Sequence, residues 1–188
     1  MRYSKTHKDE TRAKLIEAAR AVTKKGGFSS TGVDALMASI GMTGGAFYSH
    51  FPSKQALFQA VIEDEVRNST EMLTGGQEAS AKQLEQCLRS YLSTFHVLHP
   101  EEGCVLPALG AEIARAEPEV RGAVEKGLKD IQKAWAERLG SPEAAWAVIA
   151  QCVGALVLSR TVETEKTRKE IISSTRKAIE KSYFTEQE

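Results

Sequence analysis

Cysteine is scarce in this chain. Three residues, an odd and small number, argue against a disulfide framework and fit a reducing cytoplasm. A long apolar run is also missing. The longest, Ala144 to Leu158, is interrupted by Gln151 and falls short of the ~18 residues of a membrane span. The first residues, Met1-Arg2-Tyr3-Ser4-Lys5, run straight into charge, so no secretory leader is expected. Aromatic residues are only 6%, which leaves few candidates to line a pocket. Runs of Val, Ile and Thr with strand alternation are absent. So are a Ser/His/Asp arrangement, a phosphate loop and a Gly-x-Gly-x-x-Gly fingerprint, and no enzyme, cofactor or metal is expected.

Net charge is absent too, with 25 Lys+Arg against 25 Asp+Glu, but the balance is uneven along the chain. Residues 1–60 hold nine cations and four acids, a net +5 that leaves −5 on residues 61–188. A basic end on an acidic body is expected where one end approaches a polyanion. With 41% hydrophobic and 27% charged residues over 188 positions, the chain is an ordinary globular one of about one to one and a half domains, neither disordered nor collagen-like.

Apolar residues recur at three and four, so the fold class expected is all-α with about nine helices. Leu15, Ala18, Ala19 and Val22 mark a first helix that Gly26-Gly27 ends, with Lys24 and Lys25 in its last turn. Thr31 is the expected cap of a short helix carrying Val33 and Leu36. Thr43 is the expected cap of the next, Gly44 to His50, which stops before Phe51-Pro52. Ser53 caps a fourth helix from Lys54 to about Leu73. Five more helices are expected: Ala81–Leu98, Val105–Ala116, Glu119–Leu139, about Pro142–Val162 and about Thr167–Phe184. The domains expected are 1–52, with 53–73 as a connecting helix, and 74–188.

Helix, turn around Gly41, helix is helix-turn-helix spacing, which sets a second helix in the DNA major groove. Phe47 and Phe51, at i and i+4, share the inward face; Gly44, Gly45, Ala46, Ser49, Tyr48 and His50 make up the rest. Two glycines in so short a helix lower its stability by ~1 kcal/mol each, which close approach to DNA would explain. The alternative is that these residues merely end a loop.

Residues 41–58, Gly-Met-Thr-Gly-Gly-Ala-Phe-Tyr-Ser-His-Phe-Pro-Ser-Lys-Gln-Ala-Leu-Phe, resemble the signature of the tetracycline-repressor (TetR) family of bacterial transcriptional regulators. The likeness extends back through Thr11 to Ala19 and Gly27-Phe28, covering about residues 8–65. It departs at Ile40, where the family usually has a small residue, and at Gly44, where many members carry a longer polar one. The resemblance implies that Thr43, Gly44, Gly45 and Ala46 form the base-reading end of the recognition helix. It also implies that Tyr48 and His50 touch phosphates or base edges and that Lys54 binds a phosphate; Ser49, on the same outer face, is expected to bind DNA with them, and Thr31 and Gly32 would offer amides to a phosphate. It implies a homodimer formed by the last two helices on a double-stranded, pseudo-palindromic operator, and a small-molecule effector held by the C-terminal domain. That makes a ligand-released repressor, cytoplasmic and without a membrane partner; an activator or an architectural protein is the alternative.

Expected effector-binding residues are Tyr91, Phe95, His96, Cys104, Glu112 and Trp135, with ordinary core packing the alternative for the aromatics. Cys104, after Gly103 and before a helix, also resembles a subset of the family that senses electrophiles or oxidants through cysteine. A helix N-terminus would acidify its thiol, and a small buried hydrophobe is the alternative. His96, His99 and Cys104 are too loosely spaced for an expected metal site.

Overall fold

The computed structural model describes residues 5–76 and 80–184, so Met1 to Ser4 of the expected charged start, Arg2 included, lie outside the described residues. Among these the chain is all-α, with ten α-helices, one 3-10 turn and no strand. The helices are α1 (Lys5–Gly26), α2 (Val33–Ser39), α3 (Gly44–Phe47), α4 (Lys54–Thr74), α5 (Ala81–Tyr91), α6 (Thr94–Leu98), α7 (Leu106–Ile113), α8 (Pro118–Leu139), α9 (Pro142–Thr161) and α10 (Glu165–Tyr183).

Hydroxyl caps set several boundaries. Ser53 accepts from Ala56 N–H at 3.0 Å and Ser141 from Ala144 N–H at 3.1 Å. One helix more than expected is present because residues 81–98 form two. The run Leu84, Leu88, Tyr91, Leu92, Phe95 reads as one stripe, but the chain breaks at Leu92. Ser93 then opens α6 by accepting the His96 N–H at 3.2 Å. Two expected caps are corrected. Thr31 points back, its hydroxyl donating to Gly27 O at 2.9 Å, and Gly32 is the residue before α2. Thr43 precedes α3 without a side-chain cap, and α3 is regular only to Phe47 before tight turns reach Phe51.

Three apolar clusters stack along the molecule. Leu15, Leu36, Met37, Phe47, Phe51, Leu57 and Val61 form a head core. Leu84, Leu88, Tyr91, Trp135, Ile149 and Leu156 belong to a body core. Between them Phe28, Phe58 and Ile62 meet Val105, Leu109, Ile113 and Val124. α4 contributes to all three through Leu57, Ile62 and Leu73, so the head is carried on a continuous rod. Each fully buried side chain of this size contributes ~1.5–3 kcal/mol. α9, expected to be buried on several sides, is 20 residues long and apolar enough to cross a membrane by length and composition. Its inner face, with Val148, Ile149, Cys152 and Leu156, is buried, while Trp146, Val157 and Leu158 stand exposed.

Candidate nucleic-acid interface and its joint to the body

The α2–turn–α3 unit is fastened from inside. Phe47 is fully buried and stacks on Phe51 at 5.9 Å between ring centroids, and the Arg12 guanidinium lies over the Phe51 ring at 4.7 Å. The turn keeps its backbone satisfied: Gly41 N–H donates to Ala38 O and Met42 N–H to Met37 O. With these anchors set, α3 turns Tyr48 outward at 67% exposure, edge-on to Phe47. Thr43, Gly45 and Ser49 are exposed beside it, and Gly44, Ala46 and His50 are half-buried.

The two glycines of α3 have different reasons to be there. A Cβ on Gly44 would fall 1.8 Å from Asp34 Oδ1, so this glycine makes room for a side chain of α2. A Cβ on Gly45 would meet nothing within 4 Å, and only this position leaves bare backbone on the outer side. Lys54 donates to Ser29 O at 3.1 Å and lies over the Phe28 ring, which holds the α1–α2 turn, and it remains half-buried. Thr31 is buried, while Gly32 is exposed.

Not all of the basic excess faces outward. Lys24 is buried, its Nζ 2.7 Å from Glu65 Oε2 and 3.0 Å from Gly103 O. Arg20 pairs with the other oxygen of Glu65, which is fully buried. These groups lie where α1 and α4 meet the segment leading into α7. The sequence offers no signal for the cluster: Lys24 reads as a last-turn cation, and Glu65 follows Glu63 and Asp64 on an exposed-looking helix.

Beyond Gly103, His96 is buried and its tautomer follows from its partners. Cys104 N–H donates to Nε2 at 2.9 Å, so the ring proton sits on Nδ1 and is donated to Tyr91 O at 2.8 Å. Burial is the main reason that its pKa falls to about 4; Arg160 and Lys24 add to the fall and the bond to Tyr91 opposes it. With both ring nitrogens engaged, His96 has none left to share a metal with His99 and Cys104. His99 lies instead at the surface, stacked on Phe95 and grouped with Glu101 and Glu102.

Of the two readings of Cys104, the structure has the small buried hydrophobe and not the acidified thiol of a helix start. α7 begins at Leu106, two residues later, and Cys104 is fully buried beside Ser69 and Tyr91. Burial outweighs these hydrogen bonds and pushes its pKa up. Cys152, buried nearby, is pushed up to about 12 for the same reason.

Of the six residues expected to hold an effector, Tyr91, His96 and Cys104 come together in the body. Trp135 is fully buried and donates to Leu73 O at 3.1 Å, while Phe95 is 57% exposed. Glu112 stands at the joint, where its carboxylate accepts from Phe28 N–H at 2.9 Å, Ser29 N–H at 2.8 Å and Ser29 Oγ at 2.8 Å. Burial raises its pKa, but the bonds from Ser29 and Phe28 win and hold it below the usual carboxylate value. An open groove of about 940 Å³ runs between α4 and α8, lined by Arg67, Thr70, Lys126 and Asp130 among others, and none of the six lies in it.

Residues 15–61 match the family model described as bacterial regulatory proteins, tetR family. That stretch is a TetR-family DNA-binding unit. An uncharacterized HTH-type transcriptional regulator of Lactococcus lactis is 25% identical over 166 residues, 81% of this chain and 85% of that one. The HTH-type transcriptional repressor NemR of Escherichia coli K12 is 25% identical over 126 residues, 65% of this chain; the matched stretch spans 63% of NemR. The crystal structure of reduced E. coli NemR superposes with a TM-score of 0.73 at 20% identity, covering 91% of this chain and 96% of that one, and so shares the fold. The chain is a DNA-binding transcriptional regulator, and its TetR-type helix-turn-helix head is the unit that α4 carries.

Proposed function

We propose that the regulator is a cytoplasmic repressor that binds a pseudo-palindromic operator as a homodimer and is released by an effector acting on its body. The observation that carries the DNA-reading part is the outward tip of α3. Tyr48 at 67% exposure stands beside the open backbone of Gly45, on a helix pinned from within by Phe47 and Phe51. Thr43, Gly44, Gly45 and Ala46 approach base edges, and Tyr48, Ser49, His50, Lys54 and Gly32 position the phosphates. Thr31 serves this face from beneath, by fixing the turn before α2.

One such head contacts only ~600–1,000 Å² of DNA, so tight binding calls for two. The exposed apolar side of α9, carrying Trp146, Val157 and Leu158, supports a second copy as the partner. The release step acts at the Gly103–Cys104 segment, through a small molecule or through reaction of the Cys104 thiol once that segment has opened. The similarity to a repressor, NemR, supports the sign of regulation.

Mobility-shift titration against duplexes selected from a random pool tests this. Tyr48→Ala should weaken the selected duplex by ~1–3 kcal/mol at fixed salt with the melting temperature unchanged. Unchanged affinity removes Tyr48 from the interface, and failure to retain any duplex ends the repressor reading.

A further inference from the structure

The joint between head and body is fastened at both ends of α7. In the middle, Val105, Leu109 and Ile113 pack on Phe28, Phe58 and Ile62. Just before α7, Gly103 O accepts from Lys24 of α1 at 3.0 Å. Near its far end, Glu112 takes the amides of Phe28 and Ser29.

Charge balance alone does not require Lys24, because Glu65 already has Arg20. A second buried cation is unfavourable unless further partners hold it, and the Gly103 carbonyl is the partner Lys24 gains. On its opposite side Gly103 is pressed against His96: a Cβ there would lie 2.2 Å from the ring's Cδ2. The next amide, Cys104 N–H, donates to the same ring at 2.9 Å. Residues 103 and 104 are therefore gripped by the body through His96 and by the head through Lys24.

We infer that Lys24 is a positioning residue that carries displacement of the Gly103–Cys104 segment to the DNA-binding head, with Glu112 as the second fastening. The inference rests on the release reading above and names its route. With the segment in place, Lys24 keeps its acceptor and the end of α1 is fixed on the body. When the segment shifts away from His96, Lys24 loses that acceptor and keeps only Glu65 of α4, so the last turn of α1 is no longer tied to residue 103. Coupling of this kind is reciprocal, so operator binding also steadies the segment.

The test is a double-mutant cycle in the full-length protein, with the selected duplex and fixed salt. Gly103→Ala drives a methyl group into His96, and His96→Ala loosens the same segment without added bulk. Each should lower operator affinity by about tenfold or more in the wild-type background and by less than about threefold in Lys24→Met. Equal losses in both backgrounds, or no loss from either body-side change, overturn the proposal. Hydrogen exchange on the free protein gives a reading independent of DNA. Lys24→Met should speed exchange at residues 25–27 by about tenfold or more and leave α2 and α3 unchanged. Uniform acceleration, or none, also overturns it. If wild type retains no duplex, the release reading fails, and exchange still decides the Lys24 contact.

Discussion

The carboxylate of Asp34 occupies the space in which a side chain on residue 44 would begin, with Oδ1 1.8 Å from the position of a Cβ. The neighbouring Gly45 faces nothing, and the two glycines should respond differently to a methyl group. Gly45→Ala should raise stability by ~0.5–1 kcal/mol, the usual helical gain over glycine, while lowering operator affinity because the methyl lies on the outer face. Gly44→Ala should show no such gain unless Asp34→Ala accompanies it. Thermal melts and anisotropy titrations on the four variants separate the two effects.

Glu65 stands between two cations, so its removal and that of Lys24 are unequal. Glu65→Gln leaves the buried Lys24 without a carboxylate, while Arg20 keeps Glu17 and Asp64, and should cost ~3–5 kcal/mol in urea unfolding. Lys24→Met keeps the Arg20–Glu65 pair, loses the bond to Gly103 and should cost only ~1–2 kcal/mol.

Acid should weaken the body through His96. Its pKa is about 4 in the folded chain against 6.5 for a free side chain, so the unfolded chain binds the proton first. The stabilisation is complete above the unfolded value and is lost as pH falls toward about 4, roughly 3 kcal/mol in all. Urea midpoints measured between these limits should decline in wild type, and His96→Gln should decline less over the same range.

The three thiols should differ in access. Burial raises the pKa of all three, but Cys87 is only half-buried whereas Cys104 and Cys152 are sealed. A limiting alkylator followed by mass spectrometry should modify Cys87 first, and Cys104 should react only as fast as its segment opens. In Gly103→Ala the Cys104 rate should rise; an unchanged rate means that the segment does not govern access to the thiol.

Much of the architecture was readable from caps and periodicity. Ser53 and Ser141 announce α4 and α9 by hydroxyls that do bind the third amide onward, and the pair Phe47/Phe51 fixes which way α3 faces. The break at Leu92 was hidden because the apolar spacing runs on unchanged into Phe95, and only tertiary packing turns the chain there. The outward position of Tyr48 followed from its place between two buried phenylalanines. The route through Lys24, Glu65 and Gly103 did not, because it joins groups 41 and 79 residues from Lys24 whose local surroundings look like solvated helix and plain loop. Cys104 left two readings open in the sequence for a related reason. Proximity to a helix start is visible in sequence, whereas the burial that overrides it, and outweighs the bonds from Ser69 and Tyr91, is made by packing of other helices.

In the proposed homodimer, the bare flank of α9 makes each copy dependent on company. A lone chain would offer Trp146, Val157 and Leu158 to water or to any greasy neighbour, and pairing would remove that hazard. Folded lifetime then scales with how much of the regulator is present. A cell that dilutes it would lose operators and intact protein together, so abundance itself becomes a second control on the genes it governs.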